Sequence, residues 1–274
     1  MSNQNIPNLE LLQRFEAFLN EIPLSRYREE LMPVKTVEQD LPKSLNPLKD
    51  LYDTYWIPST STFVDFETFF DQWWQTHREA IEDFRNQYFW GCTCEFVQQG
   101  FKARLYRTFV SVLTQFHFAY SWLAYCTMPI ECSADLDIKG IDALVKHGDF
   151  QIALQIKKET YRREAAEGSR FARRGSPVHV VIEVPYTINS EEHWKTCALK
   201  AKRDDTKERY DLFCWLAAHL QKWLSNGFVV FTSTYPTLIE GFIKEKCTQK
   251  TTQEPKYLGW EQVLREIYDV YKKE

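Results

Sequence analysis

The first half of the chain repeats its apolar positions with the spacing of amphipathic helices. Between residues 8 and 31 these positions recur every three or four residues, and Pro23 divides the run into two short predicted helices. Residues 33–58 contain four prolines and no clear period, which predicts an irregular connection. Residues 64–88 and 94–125 return to the helical period. We therefore predict an almost entirely α-helical first half.

The pattern changes near residue 133, where apolar and polar positions alternate with a period of two. Residues 133–161 predict strands joined by a turn at His147-Gly148-Asp149. The continuous apolar run at 178–184 is typical of a strand buried on both faces. A long helix, another short apolar strand and a final amphipathic helix are predicted at 191–225, 228–234 and 260–271.

This order of elements predicts an α/β fold with a mixed β-sheet flanked by helices. The chain has 274 residues and 44% of them are hydrophobic, so it is long enough to bury a large core. We expect a helical N-terminal lobe over residues 1–93. Residues 94–274 are expected to form the core that carries the sheet.

Composition and missing motifs exclude several classes of protein. Glycine is scarce, at 9 residues, and the motifs GxGxxG, GxxxxGK[ST], HExxH and GxSxG are all absent. The seven cysteines include no CxxC pair, as expected in a reducing cytoplasm. The N-terminal residues lack the pattern of a secretory signal. The uncharged run 108–130 contains polar side chains and is interpreted as a buried helix, so we expect a cytoplasmic protein with no membrane partner.

Positive charge is concentrated in one segment of an otherwise acidic chain. Residues 157–174 hold seven basic and three acidic residues, a net charge of +4, whereas the whole chain carries −4. Such a segment indicates an anionic ligand at one face, such as a nucleic-acid backbone.

The predicted hairpin places a group of chemically useful side chains together. Asp142 precedes one strand, and Gln155, Ile156 and Lys157 lie on the next. Alternation along antiparallel strands puts Asp142, Gln155 and Lys157 on one face. Hydrolysis of a phosphodiester needs a divalent metal on oxygen ligands and benefits from a lysine beside the attacking water. Asp142 and the carbonyl of Ile156 are the candidate metal ligands, with Lys157 facing the water.

This arrangement resembles the PD-(D/E)xK nuclease superfamily, in which an Asp is followed on the next strand by an acidic residue, any residue and a lysine. Gln155 occupies the acidic position here, which removes one charge from the metal site. Asp137 is a candidate to restore that charge. It lies five residues before Asp142, and Gly140 between them permits a bend.

Five longer stretches widen the resemblance, namely KTVEQDLP at 35–42, LNPLKDLYDTYW at 45–56, GFKARLYRT at 100–108, SADLDIKGID at 133–142 and ALQIKKE at 153–159. Together they resemble the TaqI-type type II restriction endonucleases over about residues 25–165. The resemblance implies a prokaryotic, Mg²⁺-dependent enzyme that makes a staggered cut within the DNA palindrome TCGA. It also implies that Asp137 and Asp142 are metal carboxylates. The catalytic lysine stays open: strand alternation favours Lys157, whereas a bulge at the strand end would favour Lys158.

Five arginines follow the catalytic strand in a polar segment that contains Gly168, Gly175 and Pro177. We expect this loop to enter a DNA groove or clamp phosphates, and the alternative is a solvated surface loop. The five are Arg162, Arg163, Arg170, Arg173 and Arg174.

Three functions are compatible with this reasoning. The first is a sequence-specific type II restriction endonuclease, which acts as a homodimer at least on DNA because its target has a two-fold axis. The second is a repair or recombination nuclease that reads DNA structure. The third is a non-catalytic DNA-binding module in which the QxK strand has no catalytic role.

Overall fold

The structure is a computed structural model that describes residues 8–34, 41–57, 62–159, 178–247 and 256–272. Contacts between Cα atoms divide the chain into two compact units. The first is built mainly on Gln13–Phe116, with Leu224–Phe228 added, and the second mainly on His117–Trp223 and Val229–Glu274. The predicted boundary between residues 93 and 94 stays a prediction.

Helices make up the first unit, as the helical period predicts. Asp65 caps the fourth helix by accepting a hydrogen bond from the backbone N–H of Thr68 at 2.8 Å. The helices are α1 (Asn8–Glu21), α2 (Leu24–Glu30), α3 (Leu48–Tyr55), α4 (Phe66–Thr76), α5 (Arg78–Tyr88) and the long α6 (Cys94–Tyr125), whose last residues belong to the second unit.

An aromatic core holds these helices together. The Phe109 ring lies 5.1 Å from that of Phe66 and 5.4 Å from that of Tyr55, measured between centroids. The Asn226 side-chain amide donates to the backbone carbonyls of Leu19 and Ile22, at 2.7 and 2.9 Å. These contacts satisfy carbonyl groups at the C-terminal end of α1.

The prediction of an irregular connection over 33–58 is wrong where α3 lies. Leu51, Tyr52 and Tyr55 form the buried side of this helix. The four prolines concealed it, yet Pro47 stands immediately before its first residue, where a missing N–H costs nothing. The predicted segment 64–88 is two helices, because α4 ends and α5 begins at His77.

The second unit contains a five-stranded mixed sheet, which confirms the predicted fold class. The strands are β1 (Ile130–Glu131), β2 (Ala143–His147), β3 (Phe150–Lys158), β4 (Val180–Tyr186) and β7 (Lys256–Leu258), and their order in the sheet is β1-β2-β3-β4-β7. β1, β2 and β3 are antiparallel, whereas β3, β4 and β7 are parallel. The predicted turn at 147–149 joins β2 to β3. All residues of β4 are buried, as its apolar run predicts.

Several predictions in the second unit need correction. The expected helix at 191–225 is α8 (Glu191–Lys200), α9 (Asp204–Trp215), a π-helical segment Leu216–Leu220 and strand β5 (Gln221–Trp223). The strand predicted at 228–234 is β6 (Val229–Phe231), and it pairs with β5 in a separate two-stranded sheet. The sequence analysis did not predict α10 (Thr234–Lys246). Its Pro236 lies in the first turn, where proline is tolerated, so this residue does not interrupt the helix. The final helix α11 (Trp260–Tyr271) is confirmed.

The run 108–130 lies largely within α6, which has 32 residues. Across the described ranges, no helix has both the length and the apolar character that crossing a membrane requires.

A buried carboxylate fixes the turn that leads from α6 to β1. Glu240 on α10 is 6% exposed, and its Oε1 accepts from the backbone N–H groups of Thr127 and Met128 at 2.7 and 2.8 Å. Lys244 donates to Oε2 at 2.9 Å. Burial alone would raise the pKa of Glu240, but the bonds from Lys244, Met128 and Thr127 lower it to about 2.

Replacing this carboxylate should destabilise the protein in a pH-dependent way. Since the pKa of Glu240 is depressed from 4.5 to about 2, its ionised form contributes stability above pH 4.5 that is lost as the pH falls. Glu240→Gln should cost about 2 kcal/mol in urea unfolding near pH 7, and the difference should vanish near pH 2.

The exposed neighbour Glu245, which pairs with Lys246 at 3.1 Å, provides the matched control. Glu245→Gln should change stability by less than about 0.5 kcal/mol. A pH-independent loss in Glu240→Gln would contradict the assigned role of its charge.

Candidate active site

Asp137 is held in a short helix that ends in a defined turn. In α7 (Ala134–Ile138), Ser133 caps the start by accepting from the Leu136 N–H at 3.3 Å. The Gly140 N–H donates to the Asp137 carbonyl at 2.7 Å and the Ile141 N–H to the Leu136 carbonyl at 2.9 Å. This pair is a Schellman motif, and Gly140 has the positive φ, +79°, that the motif needs. The extended structure predicted over 134–138 is therefore wrong.

Asp142 lies between this turn and the start of β2. Its backbone N–H donates to the Leu154 carbonyl at 3.1 Å, next to the register pair Ala143↔Leu154. Its Oδ2 accepts from the Ile156 N–H at 2.6 Å. The hairpin therefore brings Asp142 against the Gln155-Ile156-Lys157 segment, as the sequence predicts.

Gln155 lies in the interior beside the same turn. The residue is 2% exposed, and its Nε2 donates to the Gly140 carbonyl at 2.6 Å. Its Oε1 is buried and has no hydrogen-bond partner. An orphaned acceptor in the interior costs about 1–3 kcal/mol unless a ligand satisfies it. A bound cation is one such ligand.

Lys157 reaches across to the neighbouring strand. Its Nζ donates to Oε1 of Glu183 on β4 at 2.6 Å. The register aligns Gln155 with Glu183, so all three side chains belong to adjacent positions on the β3–β4 pair. Lys158 is exposed and lies beside Tyr186 in the register. The side chains of β3 therefore alternate regularly between its two faces as far as Lys157.

Glu183 was missed in the sequence analysis. A signal was present, because it is the one acidic residue in the apolar run VHVVIEV at 178–184. A charged side chain in a strand buried on both faces requires a partner. The partner could not be identified without the register between β3 and β4.

Two carboxylates and a thiol lie close enough to influence one another. Burial and the charge of Asp137 hold the pKa of Asp142 well above its ordinary value, although the Ile156 N–H and Lys157 oppose this shift. Burial, followed by the charges of Asp142 and Asp137, raises the pKa of the Cys132 thiol. Asp137 and Asp142 therefore lie within electrostatic range and repel each other.

The donor set fits a hard divalent cation. Asp137 and Asp142 provide carboxylate oxygens, and Gln155 provides a buried amide oxygen without a partner. Oxygen ligands of this kind suit Mg²⁺ and Ca²⁺. A cation would also offset the repulsion between the carboxylates. Within the described ranges, no three or more His, Cys, Asp and Glu side chains cluster in a way suited to a metal, so amide or carbonyl oxygens would have to complete the site.

The predicted DNA-binding loop lies outside the described residues. This applies to all five of its arginines, namely Arg162, Arg163, Arg170, Arg173 and Arg174. Their role stays a prediction from sequence.

Comparison with known proteins gives consistent matches along most of the chain. A sequence model of the TaqI restriction endonuclease family matches residues 12–243. The type II restriction enzyme TthHB8I of Thermus thermophilus is 48% identical over 259 residues, which cover 93% of this chain and 95% of that enzyme. The type II restriction enzyme TaqI of Thermus aquaticus is 42% identical over 257 residues, again 93% and 95% of the two chains. No solved structure matches the chain.

Adding a carboxylate at position 155 should make stability depend on metal. Gln155→Glu places a third negative charge beside Asp137 and Asp142, so without metal we expect a loss of about 2 kcal/mol. Mg²⁺ should restore most of this loss, because a cation in the site reverses the repulsion. Thermal unfolding in EDTA and in Mg²⁺ measures both effects.

Gln151 provides the control on the same strand. It lies four residues earlier, about 13 Å away along β3, with the same alternation and also a buried Oε1 lacking a partner. The thermal stability of Gln151→Glu should be the same in Mg²⁺ as in EDTA. Equal recovery in both variants would count against a metal site at Asp142.

Proposed function

Because this chain belongs to the TaqI restriction endonuclease family, we propose that it is a Mg²⁺-dependent type II restriction endonuclease that cuts both strands of DNA within the palindrome TCGA. One observation on the candidate active site supports this proposal. Asp137, Asp142, Gln155 and Lys157 converge at the end of the β2–β3 hairpin, although they come from a helix, a turn and a strand.

In this mechanism the chain provides ligands on one side of the scissile phosphate. Asp137, Asp142, the Gln155 amide and the Ile156 carbonyl would hold Mg²⁺. The Ile156 N–H bond to Asp142 Oδ2 restricts the carboxylate to one orientation, so its other oxygen is the one available to a ligand. When bound, the ion would stabilise charge on the phosphate and lower the pKa of a coordinated water.

Lys157 positions the attacking water. Its ammonium group is held on the Gln155 face by Glu183, with the side chain 24% exposed. From this position the Lys157 ammonium group can donate a hydrogen bond to the water and also contact a phosphate oxygen. Lys158 is exposed at the end of β3, where it is suited to contact the DNA backbone.

Binding of DNA is assigned to the segment after β3. The arginines predicted to contact the duplex are Arg162, Arg163, Arg170, Arg173 and Arg174, and they follow the catalytic strand directly in the sequence. Arginine pairs bidentately with guanine and with phosphates. A palindromic target relates its two strands by a two-fold axis, so we propose that two copies of the chain act together on DNA.

A plasmid digest tests the proposed function. With Mg²⁺ the protein should produce the discrete fragments that the TCGA sites of the plasmid define, and Asp142→Ala should abolish cleavage because a metal ligand is lost. Gel shift should find that this variant still binds DNA, since the basic loop is unchanged.

Other outcomes separate the alternatives. An oligonucleotide with one altered base in the target should resist cleavage and serves as the control. Smeared products or nicking at junctions would favour a structure-specific nuclease, and absence of any metal-dependent cleavage would favour a non-catalytic DNA-binding module. Near-normal cleavage by Asp142→Ala would remove the basis of the site assignment.

The adjacent lysines should differ sharply in effect. Lys157 shares the Gln155 face whereas Lys158 is exposed, so Lys157→Ala should lower the cleavage rate by about a thousandfold. Lys158→Ala should mainly weaken DNA binding. Single-turnover cleavage at saturating enzyme separates chemistry from binding. The reverse pattern, with Lys158→Ala inactive and Lys157→Ala active, would assign the role to Lys158.

A further inference from the structure

Three hydrogen-bond donors converge on the buried carboxylate of Glu183. Lys157 Nζ donates to Oε1 at 2.6 Å, and the backbone N–H of Trp260 donates to Oε2 at 3.1 Å. The Tyr257 hydroxyl donates a further hydrogen bond to this side chain. Burial alone would raise the pKa of Glu183, but these donors lower it, so the group is a fixed anion at neutral pH.

Two of these donors come from the C-terminal end of the sheet. β7 runs parallel to β4, with Tyr257 opposite Val181, and α11 begins directly after Gly259. The first N–H groups of a helix have no partner within the helix and carry a partial positive charge, and at the start of α11 the Trp260 N–H bonds the Glu183 carboxylate. The β7–α11 junction therefore holds Glu183 from the side of the strand opposite to β3.

Fold stability alone is a weak explanation for this ion pair. Withdrawing the Glu183 carboxylate and most of the Lys157 side chain from water costs free energy, and the attraction within a buried ion pair often does no more than offset that cost. An apolar residue at position 183 would match the rest of β4, in which every residue is buried. The pair instead limits the freedom of a long, flexible lysine side chain, which has many rotamers in solution.

We propose that Glu183 is a positioning residue that holds the Lys157 ammonium on the Gln155 face, and that the β7–α11 junction fixes Glu183 for this purpose. The inference rests on the proposed function, in which Lys157 acts at the scissile phosphate. It gives the C-terminal part of the chain a role in the site. Glu183 itself does not contact the DNA or the metal in this role.

The central test is Glu183→Gln, which keeps the shape and an acceptor oxygen but removes the charge. Without the charge of Glu183, the Lys157 ammonium group should leave the reactive position in most molecules. We expect the single-turnover cleavage rate of a TCGA duplex at saturating enzyme to fall about 100-fold. The Kd for that duplex, measured in Ca²⁺, should change less than about threefold, because the DNA-contacting residues are untouched.

Glu240→Gln provides the matched control. Glu240 is equally buried and also pairs with a lysine, at 2.9 Å, but it fixes the turn after α6. This variant should lose stability and cleave at the wild-type rate at a temperature where it is folded. A similar loss of rate in both variants would mean that general destabilisation explains the effect, and the proposal would fail.

A double-mutant cycle shows whether Glu183 affects the cleavage rate through Lys157. If Glu183 acts through Lys157, then adding Glu183→Gln to Lys157→Ala should reduce the rate less than about threefold further. A full 100-fold further loss in the double variant would overturn the proposal.

A milder variant covers the case in which Glu183→Gln does not fold. Tyr257→Phe removes one donor to Glu183 and should lower the rate about fivefold, whereas Tyr268→Phe on the same C-terminal segment should not. Wild-type rates for both Glu183→Gln and Tyr257→Phe would overturn this inference and leave the proposed function standing. A wild-type protein that cannot cut the duplex would overturn both.

Discussion

The site depends on the register of β3 with its two neighbours. On one side β3 is antiparallel to β2, and on the other it is parallel to β4, with Gln155 aligned to Glu183. Side chains alternate along a strand, so a slip by one residue would move Gln155 and Lys157 to the opposite face. The register is fixed by burial, because most residues of β3 and every residue of β4 are buried.

Electrostatic strain is concentrated where the register brings polar groups together. Asp142 is close to Asp137, and its pKa is raised because burial and this neighbouring charge disfavour ionisation. Gln155 adds a buried oxygen with no partner. On the other side, Lys157 is fully matched by Glu183. The buried oxygen without a partner therefore lies on the carboxylate side, where a cation would offset the repulsion and accept this oxygen as a ligand.

Contacts of the site between residues close in the sequence could be predicted, whereas contacts between distant segments could not. Asp142, Gln155 and Lys157 belong to one hairpin, and period-two alternation was enough to place them together. α7 was not predicted because five residues are too few to show a helical period, and its Ser133 cap and Gly140 turn were interpreted as strand and bend. β7 has three residues and carries no pattern of its own. Glu183 could be noticed as a charge in an apolar run, but its partner depends on non-local pairing.

These differences divide the site into a local and a non-local half. The proposed metal-binding half, from Asp137 to Ile156, needs only the α7 turn and the β2–β3 hairpin. The lysine half needs Glu183, which is 26 residues away from Lys157, and Trp260, which is 77 residues beyond Glu183. These non-local contacts form only when β4, β7 and the start of α11 have come together with β3. The α7 turn and the hairpin thus contain the chemical groups, but an ordered Lys157 depends on the C-terminal strand and helix being in place.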